Sequence, residues 1–120
     1  MATVPFGTID TPTQGETISG SQYVNFGWAL TPGAFMIPPD GSTITVLIDN
    51  IAVGHPTYGF ARGDIDGLFP GYSNSGGAVG FYIVDTTALS NGVHTIAWIV
   101  RDNGNRIQGI GSRFFTVANP

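Results

Sequence analysis

Two histidines, His55 and His94, are the only side chains of the 120-residue sequence whose ordinary pKa lies near neutrality, so proton-transfer chemistry would centre on one of them. A hydrolytic triad also needs a nucleophile and an orienting carboxylate, yet the sequence holds no Gly-x-Ser-x-Gly elbow, and His55 stands before Pro56 where a loop begins. Paired carboxylates for glycoside hydrolysis would have to join Glu16 to one of the Asp residues; Glu16 falls in a turn at a strand start, where a solvated side chain is the ordinary state. Asp64, Ile65, Asp66 and Gly67 repeat a spacing found inside calcium loops, because alternate residues of a tight loop can aim oxygens inward. No Glu follows at the twelfth position, so the reading taken is that Asp64 caps a helical turn and pairs with Arg62. Asp102, Asn103 and Asn105 form a second oxygen-rich turn, read as turn chemistry rather than a metal site. No metal, cofactor or catalytic residue is expected. Arg62, Gly63 and Asp64 spell the tripeptide that integrins read, but an internal partner for Arg62 is the simpler use.

The large side chains that could recognise a partner are clustered. Tyr58, Phe60, Phe69 and Tyr72 could build a sugar-stacking platform or the miniature core of their own long loop, and the second use is favoured. Phe35 and Met36 lie in a Pro-rich segment. If the chain binds sugar or protein, Phe35, Met36, Tyr58 and Tyr72 are the expected contacts, because loops carry exposed aromatic surface while outward strand residues here look mostly like small Thr, Ala and Ser.

The frame that must position these residues is legible from composition. Charged residues make up 10% of the chain and its net charge is −4, with four Arg and no Lys, so a run of nucleic-acid phosphates could not be neutralised. With no Cys, disulfides and thiolate chemistry are excluded. Apolar residues reach 42%, enough for a buried core in one domain spanning 1–120. Val, Ile and Thr outnumber the strong helix formers Ala, Leu, Met, Glu, Gln, Arg and Lys by 34 to 23, which favours pleated sheets. No uninterrupted apolar stretch is long enough for a membrane-spanning helix. Met1 to Asp10 carries no basic residue and no secretory apolar run, and the segment is expected to be a domain excised from a longer chain.

Alternation and turn signals predict eight strands: Phe6–Asp10, Glu16–Ser19, Tyr23–Leu30, Ser42–Asp49, Ile51–Gly54, Val79–Asp85, Val93–Asp102 and Arg106–Val117. Asp49-Asn50 reads as a hairpin turn, and Asp85 as the acceptor of a capped turn. In the third strand Val24, Phe26, Trp28 and Leu30 are expected to face inward; the alternative inner set is Tyr23, Gly27 and Ala29, with Gly27 marking a bulge. Trp98, between Ile96 and Val100, is expected between the sheets. Residues 31–42 and 55–80 read as two long loops.

Gly27 to Ala29, Ile44 to Gly54, Asp85 to Ile96 and Arg101 to Asn105 together resemble the immunoglobulin-like domains of bacterial secreted and cell-surface proteins. The block from Tyr58 to Asp66 with Phe69 to Tyr72 is similar to a long inter-strand loop of one subgroup, whereas Thr31 to Ser42 is longer and richer in Pro than the family's usual turn. The resemblance implies an all-β, two-sheet sandwich of about seven or eight antiparallel strands. It implies a non-catalytic spacer or structural module of an extracellular or surface protein whose partners are neighbouring domains of the same chain. A carbohydrate- or protein-binding module is the alternative. It also places His94 where related folds put a corner tyrosine, a structural position.

Overall fold

The computed structural model describes residues 4–32 and 35–120, and of Asp66 the backbone alone. Runs rich in β-branched and aromatic residues, separated by Gly, Pro, Asp and Asn turns, form nine strands among the described residues. They are β1 (Phe6–Ile9), β2 (Glu16–Ile18), β3 (Tyr23–Leu30), β4 (Ile44–Ile48), β5 (Ile51–Gly54), β6 (Thr57–Phe60), β7 (Val79–Val84), β8 (Gly92–Arg101) and β9 (Ile107–Val117). A four-stranded sheet, in the order β1-β3-β7-β6, packs on a five-stranded sheet ordered β2-β9-β8-β4-β5. The ladders are antiparallel apart from the short parallel pairing of β2 with β9. Among the described residues no helix is long and apolar enough to cross a membrane.

The ninth strand, β6, lies inside the stretch expected to be irregular. Pro56 and Gly59 disguise it, because both residues are depleted in strands, yet both suit an edge. Gly59 takes a φ of 100° at a register shift in the β6–β7 ladder, between Tyr58 and Phe60. Tyr58 then turns inward, and its hydroxyl donates to the Ala29 carbonyl at 2.6 Å. The Asp49-Asn50 turn has φ values of 53° and 66°, the left-handed pair that a two-residue hairpin needs, so β4 and β5 meet as expected.

Trp98 is fully buried among Ile44, Val46, Ile96, Val100, Phe115 and Val117 of the five-stranded sheet and Ile9, Ala29, Tyr58 and Val84 of the other. Its ring lies on two glycines. A Cβ at Gly27 would stand 3.0 Å from the Trp98 ring, and one at Gly80 would stand 3.4 Å from it. Gly27 and Gly80 are register partners in the β3–β7 ladder. Asn25, two residues before Gly27, accepts the Trp98 indole N–H at 2.8 Å while its own amide donates to the Thr11 carbonyl at 2.6 Å. These contacts correct the expected phase of β3. Asn25, Gly27 and Ala29 face the core, whereas Val24, Phe26 and Trp28 point away from it. The physical reason is volume: an indole between sheets about 10 Å apart needs backbone without side chains beneath it, and only the glycine-bearing phase supplies that.

His94, at the start of β8, fastens the β4–β5 hairpin. Its Nδ1 donates to Asp49 Oδ2 at 2.5 Å and its Nε2 to the Ser90 carbonyl at 2.7 Å, while the ring stacks on Phe115 with centroids 5.7 Å apart. Two acceptors require two N–H groups, so the Asp49 hydrogen bond, followed by that to Ser90, raises the His94 pKa above its ordinary value. Burial opposes the Asp49 charge, but hydrogen bonds from His94 and from the Thr95 amide outweigh it and lower that pKa.

Two outcomes are expected. Trp98→Ala should lose about 3–5 kcal/mol in guanidinium unfolding, since it opens a cavity on Gly27 and Gly80 and orphans Asn25; a loss under about 1 kcal/mol would contradict the core assignment. Because the folded pKa of His94 is raised, its ion pair contributes fully below the unfolded value near 6.5 and is lost as pH rises through the higher folded value. Urea unfolding should therefore give a stability that declines from pH 6 to pH 8.5 by on the order of 0.5 kcal/mol, small because Asp49 is partly solvated and screened. Asp49→Asn, which keeps the turn conformation, should flatten that slope.

Candidate functional site

The side chains singled out for chemistry are drawn into separate fastenings. The Nδ1 of His55 lies 2.6 Å from the Ile44 carbonyl. Asp102, 1% exposed at the end of β8, accepts from Thr31 Oγ1 at 2.5 Å, Arg106 Nε at 2.8 Å, and the Gly104 and Arg106 amides at 2.9 and 3.1 Å. Burial pushes its pKa up, but these donors, led by Thr31, prevail and hold the carboxyl below the ordinary Asp range. Arg106 continues to the Pro32 carbonyl at 2.8 Å, so the cluster ties the Pro-rich segment to the β8–β9 turn. Asp85 accepts the Thr87 amide at 3.0 Å, the capped turn that was expected.

Arg62 bridges Asp10 at 2.6 Å and Asp64 at 2.8 Å. The expected capping role of Asp64 is not observed. The short helix α1 (Gly63–Leu68) is preceded by Arg62, no side chain caps it, and the Asp64 carboxylate is held by the guanidinium instead. Asp64 stands two positions past Arg62, which occupies the cap, and its carboxylate pairs with that arginine. The side chain of Asp66 lies outside the described residues. Glu16 takes the hydroxyl of Tyr23 at 3.0 Å and the Thr13 amide at 2.9 Å, so it is engaged rather than merely solvated. Among the described residues no three side chains of the His, Asp and Glu types converge as metal ligands would.

The loop aromatics divide. Tyr58, expected as a ligand contact, is 5% exposed and bonded within the core, so its ring is not offered at the surface. Tyr72 is half-buried and packs edge-on against Phe6 and Phe69. Phe69 in turn lies on Trp28, with centroids 5.5 Å apart, and Leu30, Ile65 and Ala78 complete a second small core beneath the 61–78 segment. Phe35 and Met36 remain 39% exposed, with the Arg106 guanidinium 3.9 Å from the Phe35 ring centre and Met36 bonded through its backbone to Asn103.

An exposed apolar surface that sequence reasoning missed lies on the outside of the four-stranded sheet, where outward residues were expected to be mostly small. With Gly27 and Gly80 inward, Trp28 pairs with Val79, Phe26 with Phe81 and Val24 with Ile83, all on the outer side. Thr57 and Phe60 of β6 extend the rows. The 61–78 segment covers the Trp28 row. The next two rows stay open as a groove of about 320 Å³ lined by Val24, Phe26, Phe60, Val79, Phe81 and Ile83. Phe26, Phe81 and Phe60 form a ladder of rings 6.2 and 5.5 Å apart across three strands. Phe26, Phe60 and Ile83 are 42%, 46% and 44% exposed. The signal was present in Gly27, whose inward position throws Phe26 outward, but choosing that phase required knowing where Trp98 rests.

No family model and no curated protein match the chain. Solved structures do. An X-ray structure of the endo-beta-1,4-mannanase from Thermotoga petrophila superposes over 97% of this chain with a TM-score of 0.61 and 14% identity, and the match spans 20% of that chain. The fibronectin(III)-like modules of Clostridium thermocellum CbhA superpose over 99% of it with a TM-score of 0.62 and 15% identity, and there the match spans 49%. The chain thus covers about a fifth and about half of these neighbours' lengths. Together with the two packed sheets, the likeness shows the fold: an immunoglobulin-like, fibronectin(III)-like β-sandwich.

Proposed function

We propose that this domain is a non-catalytic structural module of a secreted or surface-exposed protein, one that spaces or presents neighbouring domains of the same chain. The observation that carries the reading is how its reactive side chains are used. His94, His55, Asp102 and Arg62 each bond a loop or strand end to the sandwich, and the two imidazoles serve different elements. A base whose nitrogens are both engaged by Asp49 and the Ser90 carbonyl has no lone pair for a substrate proton. Superposition on a fifth and on half of two longer chains supports the module reading. The lack of Lys, with many Thr, Ser and Asn, suits an extracellular surface.

A second reading, a carbohydrate-binding module, draws on Phe35. Its ring is held by Arg106 and keeps 39% of its surface open, next to the amide-bearing Asn103 of the neighbouring turn. The isolated domain, incubated with β-1,4-mannan and other β-linked polysaccharides, should release no reducing ends and should migrate unretarded in polysaccharide affinity gels. Hydrolysis by the purified domain would overturn the module reading. Retardation that disappears in a folded Phe35→Ala variant would select the second reading.

A further inference from the structure

The end of the sandwich where β9 finishes is closed by one short segment, residues 85–91, which is held from two sides. On one side it grips the chain that leaves β9. The Asn119 amide donates to Asn91 Oδ1 at 2.8 Å, and the Asn91 side-chain amide donates back to the Asn119 carbonyl at 3.0 Å. Asn119 Nδ2 donates to the Thr86 carbonyl at 2.9 Å, and its Oδ1 accepts the Gly20 amide at 3.1 Å. On the other side, the Ser90 carbonyl accepts from His94 Nε2 at 2.7 Å. The Ser90 C=O and the Asn91 N–H belong to one rigid peptide plane, so the carbonyl cannot turn without turning Asn91.

We propose that His94 is a pH-sensitive latch on the exit of the chain from β9, closed while both ring nitrogens carry protons and open once one is lost, its motion passed through Ser90 and Asn91 to Asn119. The geometry dictates the order of events. With two protons, the ring donates to Asp49 Oδ2 and to Ser90 at once. With one, that proton stays on Nδ1, since a carboxylate is a stronger acceptor than a carbonyl. Nε2 then turns a lone pair toward the Ser90 oxygen, at a distance where two acceptors repel. The ring has little room to give way. It is 8% exposed, stacked on Phe115 of β9 and tied to Asp49, which the Thr95 amide also holds. Exposed Ser90 moves instead, and the Asn91–Asn119 pair moves with it.

The surroundings keep the trigger single. Asp49 of the β4–β5 turn is the one charged group among the described residues that acts on the ring, and β9 presents Phe115 to it. Asp85, at the far end of the 85–91 segment, is turned to the Thr87 amide at 3.0 Å. The Asp49 hydrogen bond raises the pKa of His94, so the latch is closed through the mildly acidic range and opens as pH climbs past the raised value. Such a latch goes beyond the module reading: it sets how firmly Asn119 is held, and it stands or falls apart from hydrolysis or sugar binding.

Solvent exchange of backbone amides, followed by NMR from about pH 5.5 to about pH 9 together with the His94 ring protons, tests this. Relative to intrinsic exchange at each pH, protection of the Asn119 amide should fall about five-fold, the loss of one modest hydrogen bond, at the midpoint where the His94 ring titrates. The Ala118 amide, bonded to the Ile18 carbonyl, and the Phe114 amide, bonded to Gln14, should change less than about two-fold. Asp49→Asn should lower the His94 midpoint and carry the Asn119 step down with it, a displacement that a merely structural contact would not produce. Asn91→Ala should leave the His94 titration in place while Asn119 loses both its protection and its step. Asn91 is at the surface, so this variant decides alone if Asp49→Asn fails to fold. Flat protection of Asn119 through the His94 titration would overturn the proposal. So would a ring that does not titrate in this range, a step that stays in place when Asp49→Asn has moved the His94 midpoint, or a step that survives Asn91→Ala.

Discussion

The Trp98 indole is the piece around which the sandwich is arranged. It fills the space between the sheets over Gly27 and Gly80, and it donates its one hydrogen bond to Asn25. A large ring with a polar atom can be buried only if volume and hydrogen bond are both provided. Asn25 is itself buried and satisfied through the Thr11 carbonyl, so no polar group is stranded. Because side chains alternate along a strand, putting Asn25, Gly27 and Ala29 beneath the indole leaves Val24, Phe26 and Trp28 no choice but the outer side. One packing requirement in the core thus creates apolar surface on the far face of the same sheet.

That surface is dealt with unevenly. The 61–78 segment folds a second core over Trp28, using Phe6, Phe69 and Tyr72 as edge-on aromatic contacts and Ile65 as its buried anchor. A segment of this length needs such a core of its own to offset the entropy of ordering it. The cover stops where Arg62 reaches Asp10, and among the described residues nothing lies over the two following rows. On the five-stranded sheet the outward residues of β8 and β9 mix Thr95 and Ala97 with exposed Val93 and Phe114.

The polar chemistry sits at the margins. Asp102 gathers Thr31 and Arg106 and so pins the Pro-rich segment, Asn74 clamps the backbone of buried Ile37 from both sides, and His94 joins the β4–β5 turn to β8. Chain this poor in charge can still order long connections, because each buried polar group is met by several donors or acceptors at once. No buried side-chain nitrogen or oxygen among the described residues lacks a partner.

Composition and alternation were enough to determine an all-β sandwich, the strands around Ile44–Ile48 and Gly92–Arg101, the burial of Trp98, and the left-handed turn at Asp49-Asn50, because these depend on local propensity and on two-residue periodicity. The strand at Thr57–Phe60 was hidden, since Pro56 and Gly59 are tolerated there only because it is an edge, and being an edge is a property of the assembled sheet. Of the two roles expected of Asp64, the ion pair with Arg62 is present and the cap is not, because the helix begins at Gly63, ahead of it. Phase in β3 was the consequential case. Val24, Phe26 and Trp28 alternate as convincingly for one face as Gly27 and Ala29 permit for the other, and periodicity has no means of choosing between two apolar sides. Only the tertiary structure chose, because the indole of Trp98, 73 residues from its partner Asn25, fits over glycine and not over phenylalanine.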